Sequence, residues 1–142
     1  FVGDNRKEEV KKLINYTQNK KIANVHFFTA DTAGDVKNYY WSATVFTLTS
    51  NRVETFPISS LEAMASGLPC VLTNTGGAKN IIKENENGFI VEPENIESIS
   101  TGWEKCLQMK NDSISNKIRE QIVKNYSIKN SAKKYLEYIK DI

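Results

Sequence analysis

The chain has 142 residues, 39% of them hydrophobic and 25% charged, which is ordinary for one globular domain with a single core. Its formal net charge of +2 is too small to argue for nucleic acid or a strongly anionic membrane as a partner. The sequence shows neither an apolar run of the roughly 18–20 residues that a membrane span requires nor a signal peptide. With Cys70 and Cys106 outside any CxxC pair, we expect reduced, buried thiols in a cytoplasmic protein.

The first third of the chain alternates short predicted strands with helices. Residues 1–3 read as the end of a buried strand, and Asp4-Asn5 as a turn or helix cap. An amphipathic helix is predicted over 7–20 and a second strand over 24–29. A loop then runs through Asp31 and Gly34, and an aromatic-rich helix is expected over 36–42.

A short helix with a carboxylate on either side of its start organises the middle of the chain. A third strand is predicted over 45–48, and its loop leads through Glu54 into a helix over 58–66 that contains Glu62. Pro57 fits the first helical turn, while Gly67 and Pro69 end the helix. The predicted free N–H groups of residues 58–60 point back to the loop, where they favour an anion. Because a carboxylate can hold two neighbouring hydroxyls, this layout suits a nucleotide-sugar: ribose, two phosphates and sugar.

The second half continues the alternation. Strands are predicted over 69–73 and 89–91, with a short helix over 78–83 between them. Pro93-Glu94-Asn95 opens a further helix, Asp112 caps the next one, and Ser127 caps the last. Strands alternating with helices indicate an α/β fold: a Rossmann-like parallel sheet with helices on both faces.

Ligands of open parallel sheets bind beyond the carboxyl ends of the strands. Three loops follow predicted strands here, at residues 29–34, 49–54 and 74–77, and we expect them to open on one edge. That edge would carry the following groups: Asp31, Arg52, Glu54, the helix N–H groups, Gly76 and Gly77.

Residues 50–71, Ser50-Asn-Arg-Val-Glu-Thr-Phe-Pro-Ile-Ser-Ser-Leu-Glu-Ala-Met-Ala-Ser-Gly-Leu-Pro-Cys-Val, resemble the signature of retaining glycosyltransferases of family 4, which have the two-domain GT-B fold. Asn74-Thr-Gly-Gly-Ala and Asn87-Gly-Phe-Ile-Val-Glu-Pro are similar to later blocks of that family, and Val25-His-Phe-Phe to an earlier one. The resemblance covers nearly the whole chain as one C-terminal, nucleotide-sugar-binding domain, 1–142. It implies a longer polypeptide whose N-terminal acceptor domain, and the first strand of this domain, are not in this sequence.

The resemblance also implies roles for individual residues. Glu54 would be the catalytic residue that faces the donor sugar, together with Thr55 and Phe56. Glu62 would hold the ribose, and the N–H groups near Ile58 and Ser59 would meet the pyrophosphate. Residues 29–33 would border the base.

Arg52 is a further candidate because a guanidinium can bind phosphate in bidentate fashion. The resemblance implies transfer of a hexose with retention and no metal, in agreement with the lack of an Asp-x-Asp motif. Polysaccharide, lipopolysaccharide and glycolipid assembly all remain open as settings. The missing half would carry the acceptor site and any peripheral membrane association, so this fragment alone would bind donor weakly and catalyse nothing.

Two departures from the family pattern leave questions open. Thr55 stands where glycine is commonest, which leaves the sugar's identity open. After Gly76-Gly77, Ala78-Lys79-Asn80 stands where the pattern usually has Pro-Glu, and Lys79 is either a surface lysine or close to the site. Gly76-Gly77 either shapes a turn or belongs to the site. The alternatives to an enzyme are a non-catalytic nucleotide or phosphosugar-binding module and a plain α/β interaction domain.

Overall fold

The computed structural model describes residues 1–4 and 6–140, which form two compact units, Phe1–Ser42 and Ala43–Ile142. The first contains β1 (Val2–Gly3), α1 (Glu8–Asn19), β2 (Phe28–Thr29) and α2 (Ala33–Ser42). The second contains β3 (Phe46–Leu48), α3 (Ile58–Ala65), β4 (Cys70–Thr73), α4 (Ala78–Ile81), β5 (Gly88–Val91), α5 (Ile96–Met109), α6 (Asp112–Tyr126) and α7 (Ile128–Lys140). The predicted order of strands and helices is therefore confirmed.

In the first unit, β1 and β2 pair in parallel, with Val2 opposite Phe28 and Gly3 opposite Thr29. The strand predicted over 24–29 is wrong in length, since only its last two residues pair with β1. Asn24 has φ = 62°, a left-handed conformation that an extended strand does not accommodate. The predicted cap at Asp4-Asn5 falls partly on Asn5, which lies outside the described residues.

Helix α2 begins at Ala33, three residues earlier than predicted, so the expected loop through Gly34 is shorter. Thr32 and Asp35 form a reciprocal capping pair: the Thr32 N–H donates to Asp35 Oδ2 (3.0 Å), and the Asp35 N–H donates to Thr32 Oγ1 (3.2 Å). The hydroxyl and N–H of Thr32 lower the pKa of Asp35. This local hydrogen bonding fixes the helix start and corrects the prediction.

In the second unit, β3, β4 and β5 form a parallel sheet in that order. Phe46 lies opposite Cys70, and Cys70 lies opposite Gly88. All four residues of β4 are buried, as expected for the central strand of a sheet covered on both faces.

Helices α5 and α3 cover the two faces of this sheet. Val71, Phe89 and Val91 pack with Cys106 of α5. Since neighbouring strand residues point to opposite faces, Cys70 faces the other side, where its thiol lies 3.8 Å from the carbonyl oxygen of Ser60 in α3. Burial raises the pKa of Cys106 to about 12. The expectation of two buried thiols is confirmed, because both cysteines are buried and unpaired.

Helix α6 packs on α3, and its buried residues are Ile118 and Ile122. Its cap is Asn111, which accepts from the Ile114 N–H at 3.0 Å; the prediction of an Asp112 cap was one residue late. The predicted Ser127 cap of α7 is confirmed, with the Asn130 N–H donating to Ser127 Oγ at 3.3 Å. No residue of α7 is buried, so its apolar stripe is open in this chain.

None of the helices in the described ranges is long and apolar enough to cross a membrane.

Candidate functional site

The N-terminus of α3 is open, and it differs from the prediction in two details. Pro57 is the residue before the helix rather than part of its first turn, with φ = −75° and ψ = 88°. Its carbonyl oxygen accepts from the Ser60 N–H at 3.0 Å, so the prediction of a free amide at Ser60 was wrong. Among the described residues, the N–H groups of Ile58 and Ser59 have no partner, and Ile58 is 64% exposed. Two N–H donors, rather than three, are therefore available to an anion.

The loop that carries Glu54 is held by the loop that follows β4. The Gly77 N–H donates to the Glu54 carbonyl oxygen at 2.7 Å. This bond joins residues that are 23 positions apart and lie beyond the carboxyl ends of neighbouring parallel strands. The predicted convergence of residues 49–54 with residues 74–77 is therefore confirmed.

Gly76 and Gly77 are required by close backbone contact, which answers the question that the sequence left open. A Cβ atom at Gly76 would lie well within van der Waals contact distance of the Glu54 carbonyl oxygen, and one at Gly77 within that of the Thr55 carbonyl oxygen. Gly76 also has φ = 50°, which side chains disfavour. The pair thus shapes the turn and lets two backbones meet at the candidate site.

The loop after β5 joins the same edge through two side-chain hydrogen bonds. Asn51 Nδ2 donates to Glu94 Oε1 at 3.0 Å, and Asn74 Nδ2 donates to Glu92 Oε1 at 3.1 Å. The backbone of Glu92 is itself held by Ser98, because the Glu92 N–H donates to Ser98 Oγ at 3.0 Å. The loops after all three strands of the second unit are therefore linked to one another.

The start of the loop that carries Glu54 is hydrogen-bonded to Thr73, the last residue of β4. Its hydroxyl is buried and donates to the Ser50 carbonyl oxygen at 2.5 Å. Ser50 Oγ then accepts from the Arg52 N–H at 3.0 Å. The Arg52 side chain is exposed on this loop, where its charge is accessible to a ligand.

The structure places the remaining predicted residues as follows. Glu54 is half-buried and Thr55 is exposed, both in the loop before α3. Phe56 is 48% exposed, and its ring packs against that of Tyr126, with 6.1 Å between centroids. Glu62 is exposed on α3, and Lys79 is exposed on α4. The roles of these residues stay predictions.

Asp31 belongs to the first unit, where its carboxylate pairs with Arg6 at 3.2 Å. Both side chains are exposed, so this ion pair contributes little to stability.

Sequence reasoning missed the residues that hold the loops together: Asn51, Asn74, Glu92, Glu94 and Tyr126. A partial signal existed for the two glutamates, since Glu92 directly follows a predicted strand and Glu94 lies two residues further on. For Tyr126 no local signal existed, because it meets Phe56 from 70 positions away.

Comparison with solved structures defines the class of fold. A glycosyltransferase from Rickettsia africae superposes with a TM-score of 0.81 at 28% identity, covering 99% of this chain and 38% of that one. HepE of Anabaena in complex with UDP and glucose gives a TM-score of 0.79 at 20% identity and covers 99% of this chain and 40% of that one, a likeness of fold alone. The predicted α/β fold of a GT-B glycosyltransferase domain is confirmed.

The chain belongs to the family of glycosyl transferases group 1, whose sequence model matches residues 1–136. It is 35% identical over 122 residues to an uncharacterized glycosyltransferase of Methanocaldococcus jannaschii, which covers 84% of this chain and 30% of that protein. It is 31% identical over 109 residues to an Escherichia coli UDP-Gal:alpha-D-GlcNAc-diphosphoundecaprenol alpha-1,3-galactosyltransferase, with coverage of 76% and 27%. The chain thus spans about a third of the length of these relatives.

Proposed function

We propose that this chain is the donor-binding part of a retaining glycosyltransferase that transfers a hexose from a nucleoside diphosphate sugar to a glycan or lipid-linked acceptor. One observation carries the proposal: the Glu54 backbone is locked by Gly77 beside the open N-terminus of α3. A carboxylate and unpartnered N–H donors thereby lie on one short stretch of chain. The family membership supports the reaction class.

The chain's own groups would act mainly by electrostatics and positioning. As the bond between the sugar C1 and the phosphate oxygen breaks, its electron pair moves to the departing diphosphate. The N–H groups of Ile58 and Ser59 and the Arg52 guanidinium are the available donors for that charge. The Glu54 carboxylate would orient the sugar hydroxyls, and Glu62 would accept from the ribose hydroxyls. The acceptor oxygen would bond to C1 on the face that the diphosphate leaves, and its proton would pass to the departing diphosphate oxygen.

The relatives support a hexose donor and a lipid-linked or polymeric acceptor. The Escherichia coli relative is named as a galactosyltransferase acting on a diphosphoundecaprenol-linked sugar. A Bacillus subtilis relative, 28% identical over 118 residues, is named a poly(glycerol-phosphate) alpha-glucosyltransferase. We propose UDP-hexoses as the first donors to test and, since two N–H groups and a guanidinium are at hand for the diphosphate, we propose that no metal is needed.

The test uses the full-length protein and a panel of UDP-, GDP- and ADP-sugars. Glu54→Ala should abolish transfer and spare nucleotide binding. Glu62→Ala should weaken nucleotide binding by about 1.5–3 kcal/mol, roughly 10- to 100-fold in Kd, because a charge-assisted hydrogen bond is lost. Glu104→Ala removes an exposed carboxylate of α5 and serves as the matched control.

Three outcomes decide between the candidate functions. Transfer that stops in Glu54→Ala, with UDP still bound, supports the proposed enzyme. Nucleotide binding without transfer to any acceptor would favour a non-catalytic binding module. Wild-type protein that shows no thermal shift with any nucleoside diphosphate at millimolar concentration would refute both and leave an α/β interaction domain. Transfer that survives EDTA is expected, and its loss would refute the metal-free proposal.

A further inference from the structure

Tyr126, the last residue of α6, makes two contacts with the candidate site at once. Its ring packs on Phe56, with 6.1 Å between centroids and 52° between the ring planes. Its hydroxyl donates to the Asn80 carbonyl oxygen at 3.1 Å. One side chain therefore contacts both the loop before α3 and the helix after Gly77.

The helix that carries Tyr126 is firmly anchored. Ile118, Ile122 and Tyr126 are four residues apart and so share one face of α6, and both isoleucines are at most 4% exposed. Gln121 adds a polar anchor, since its Oε1 accepts from the buried Asn87 Nδ2 at 3.3 Å. Tyr126 therefore lies on the buried face of α6, at the C-terminal end of that helix.

The Asn80 contact completes a ring of contacts that connects Tyr126 to the Glu54 backbone by two routes, one through α4 and one through Phe56. Asn80 lies in α4, a helix of four residues whose last carbonyls have no intrahelical partner. This helix directly follows Gly77, which donates to the Glu54 carbonyl oxygen. Phe56, two residues after Glu54, rests on the Tyr126 ring. The backbone at Glu54 is thus held from both sides by contacts that meet at Tyr126.

We propose that Tyr126 is a positioning residue for the donor sugar. It fixes the segment formed by Glu54, Thr55 and Phe56, which the proposed function places at the sugar, without itself reaching the ligand. The inference rests on that proposed function for its consequence in catalysis. The contacts themselves are independent of what the protein binds. Glu62 lies in α3, further from Tyr126 along the chain, whereas the N–H groups of Ile58 and Ser59 follow Phe56 closely, so nucleotide binding is expected to depend on Tyr126 less than catalysis does.

The first experiment measures backbone amide hydrogen exchange in the full-length protein, on peptides that contain Gly77 and on those that contain residues 54–56. Tyr126→Phe removes only the hydroxyl, and Tyr126→Leu removes both contacts. Exchange at Gly77 should rise about two- to tenfold in Tyr126→Phe, from the loss of one hydrogen bond. It should rise about 10- to 100-fold in Tyr126→Leu, where the aromatic pair is lost as well.

The second experiment measures kcat and KM for the nucleotide-sugar that the donor panel selects, and the Kd of UDP. For Tyr126→Leu we expect kcat to fall about 10- to 100-fold, since a displaced loop misaligns the sugar, while the Kd of UDP rises by a clearly smaller factor. Tyr126→Phe keeps the ring and should recover most of the lost kcat. Ile118→Val is the matched control. It removes one buried methyl group from the same helix and should lower Tm without changing kcat or Gly77 exchange.

The proposal is overturned if Tyr126→Leu matches Ile118→Val in both Gly77 exchange and kcat, because Tyr126 would then contribute only to stability. It is also overturned if Tyr126→Leu weakens UDP binding as much as it lowers kcat, since the effect would then not be confined to the sugar segment. If the wild-type protein binds no nucleotide, the proposed function fails, and the role in catalysis fails with it. The exchange rates would still show whether Tyr126 holds the Glu54 segment.

Discussion

Gly77→Ala tests whether the close contact between the two loops sets the geometry of the site. Gly77 has φ = −78° and ψ = −2°, which alanine adopts readily, so the substitution brings no backbone strain. Its Cβ would overlap the Thr55 carbonyl oxygen. To restore ordinary contact distances, the loop that carries Glu54 would have to move by about 1 Å.

The expected magnitude separates stability from catalysis. Loss of the 2.7 Å bond from Gly77 to Glu54 costs about 0.5–1.5 kcal/mol. Replacing glycine by alanine restores about 0.4–1 kcal/mol by restricting the unfolded chain. The overlap with the Thr55 carbonyl oxygen adds an overpacking cost of about 1–3 kcal/mol, so the free energy of unfolding should fall by about 1–3 kcal/mol. A catalytic group misplaced by 1 Å can reduce kcat about 100-fold, or about 2.7 kcal/mol in activation free energy.

The assay compares kcat, the Kd of UDP and urea unfolding for the full-length wild-type protein, Gly77→Ala and Gly102→Ala. The Gly102 control also overpacks: its Cβ would lie 2.6 Å from Val91 Cγ1, but in the core between α5 and the sheet. It should lower the free energy of unfolding by about 1–3 kcal/mol and leave kcat unchanged. A Gly77→Ala protein with wild-type kcat would refute the argument, because the loop contact would then not control the position of Glu54.

Three further predictions concern stability. Asn87→Ala should lower the free energy of unfolding by about 2–4 kcal/mol in urea titrations, because the buried amide donates to Ile81 and accepts from the Lys83 N–H at 2.8 Å; a loss below 0.5 kcal/mol would contradict this. Thr73→Val should cost about 0.5–1.5 kcal/mol by removing the part-buried hydrogen bond to the Ser50 carbonyl oxygen, whereas the exposed Thr101→Val should have little effect on the same measurement. Burial raises the pKa of Cys106 from 9.0 to about 12 and also raises that of Cys70. The unfolded thiols therefore ionise first, and above pH 9 stability should fall by up to about 1.4 kcal/mol per pH unit for each thiol, with the Cys106 contribution levelling off near pH 12. The Cys70→Ala, Cys106→Ala double variant should show a shallower pH slope, and an unchanged slope would refute the assignment.

Much of the fold could be predicted because its signals are local. Residues 58–65 form a helix between Pro57 and Gly67, and those two residues mark its limits in the sequence. The start of α2 at Ala33 was missed although Thr32 and Asp35 are a local capping pair. The long strand expected before β2 failed for another reason. Apolar residues suggested it, but the left-handed backbone at Asn24 is not apparent from polarity.

The linkage of the candidate site was less predictable. Convergence of the loops after β3 and β4 followed from the rule for parallel sheets, and the Gly77–Glu54 bond confirms it. The partners Asn51–Glu94 and Asn74–Glu92 could not be foreseen, since many exposed asparagines and glutamates in this chain have similar sequence surroundings. Which of them meet depends on loop conformations that no short motif encodes.

The sequence by itself determined the order of strands and helices, and it placed Glu54 before α3 and Glu62 within it. Only the tertiary structure decided that Gly76 and Gly77 pack on the Glu54 backbone and that the Tyr126 ring packs against Phe56. The physical reason is the separation in sequence between the residues that interact. Helix and strand preferences arise between residues a few positions apart, whereas these contacts join segments 22 to 70 positions apart, whose meeting depends on strand register and helix packing.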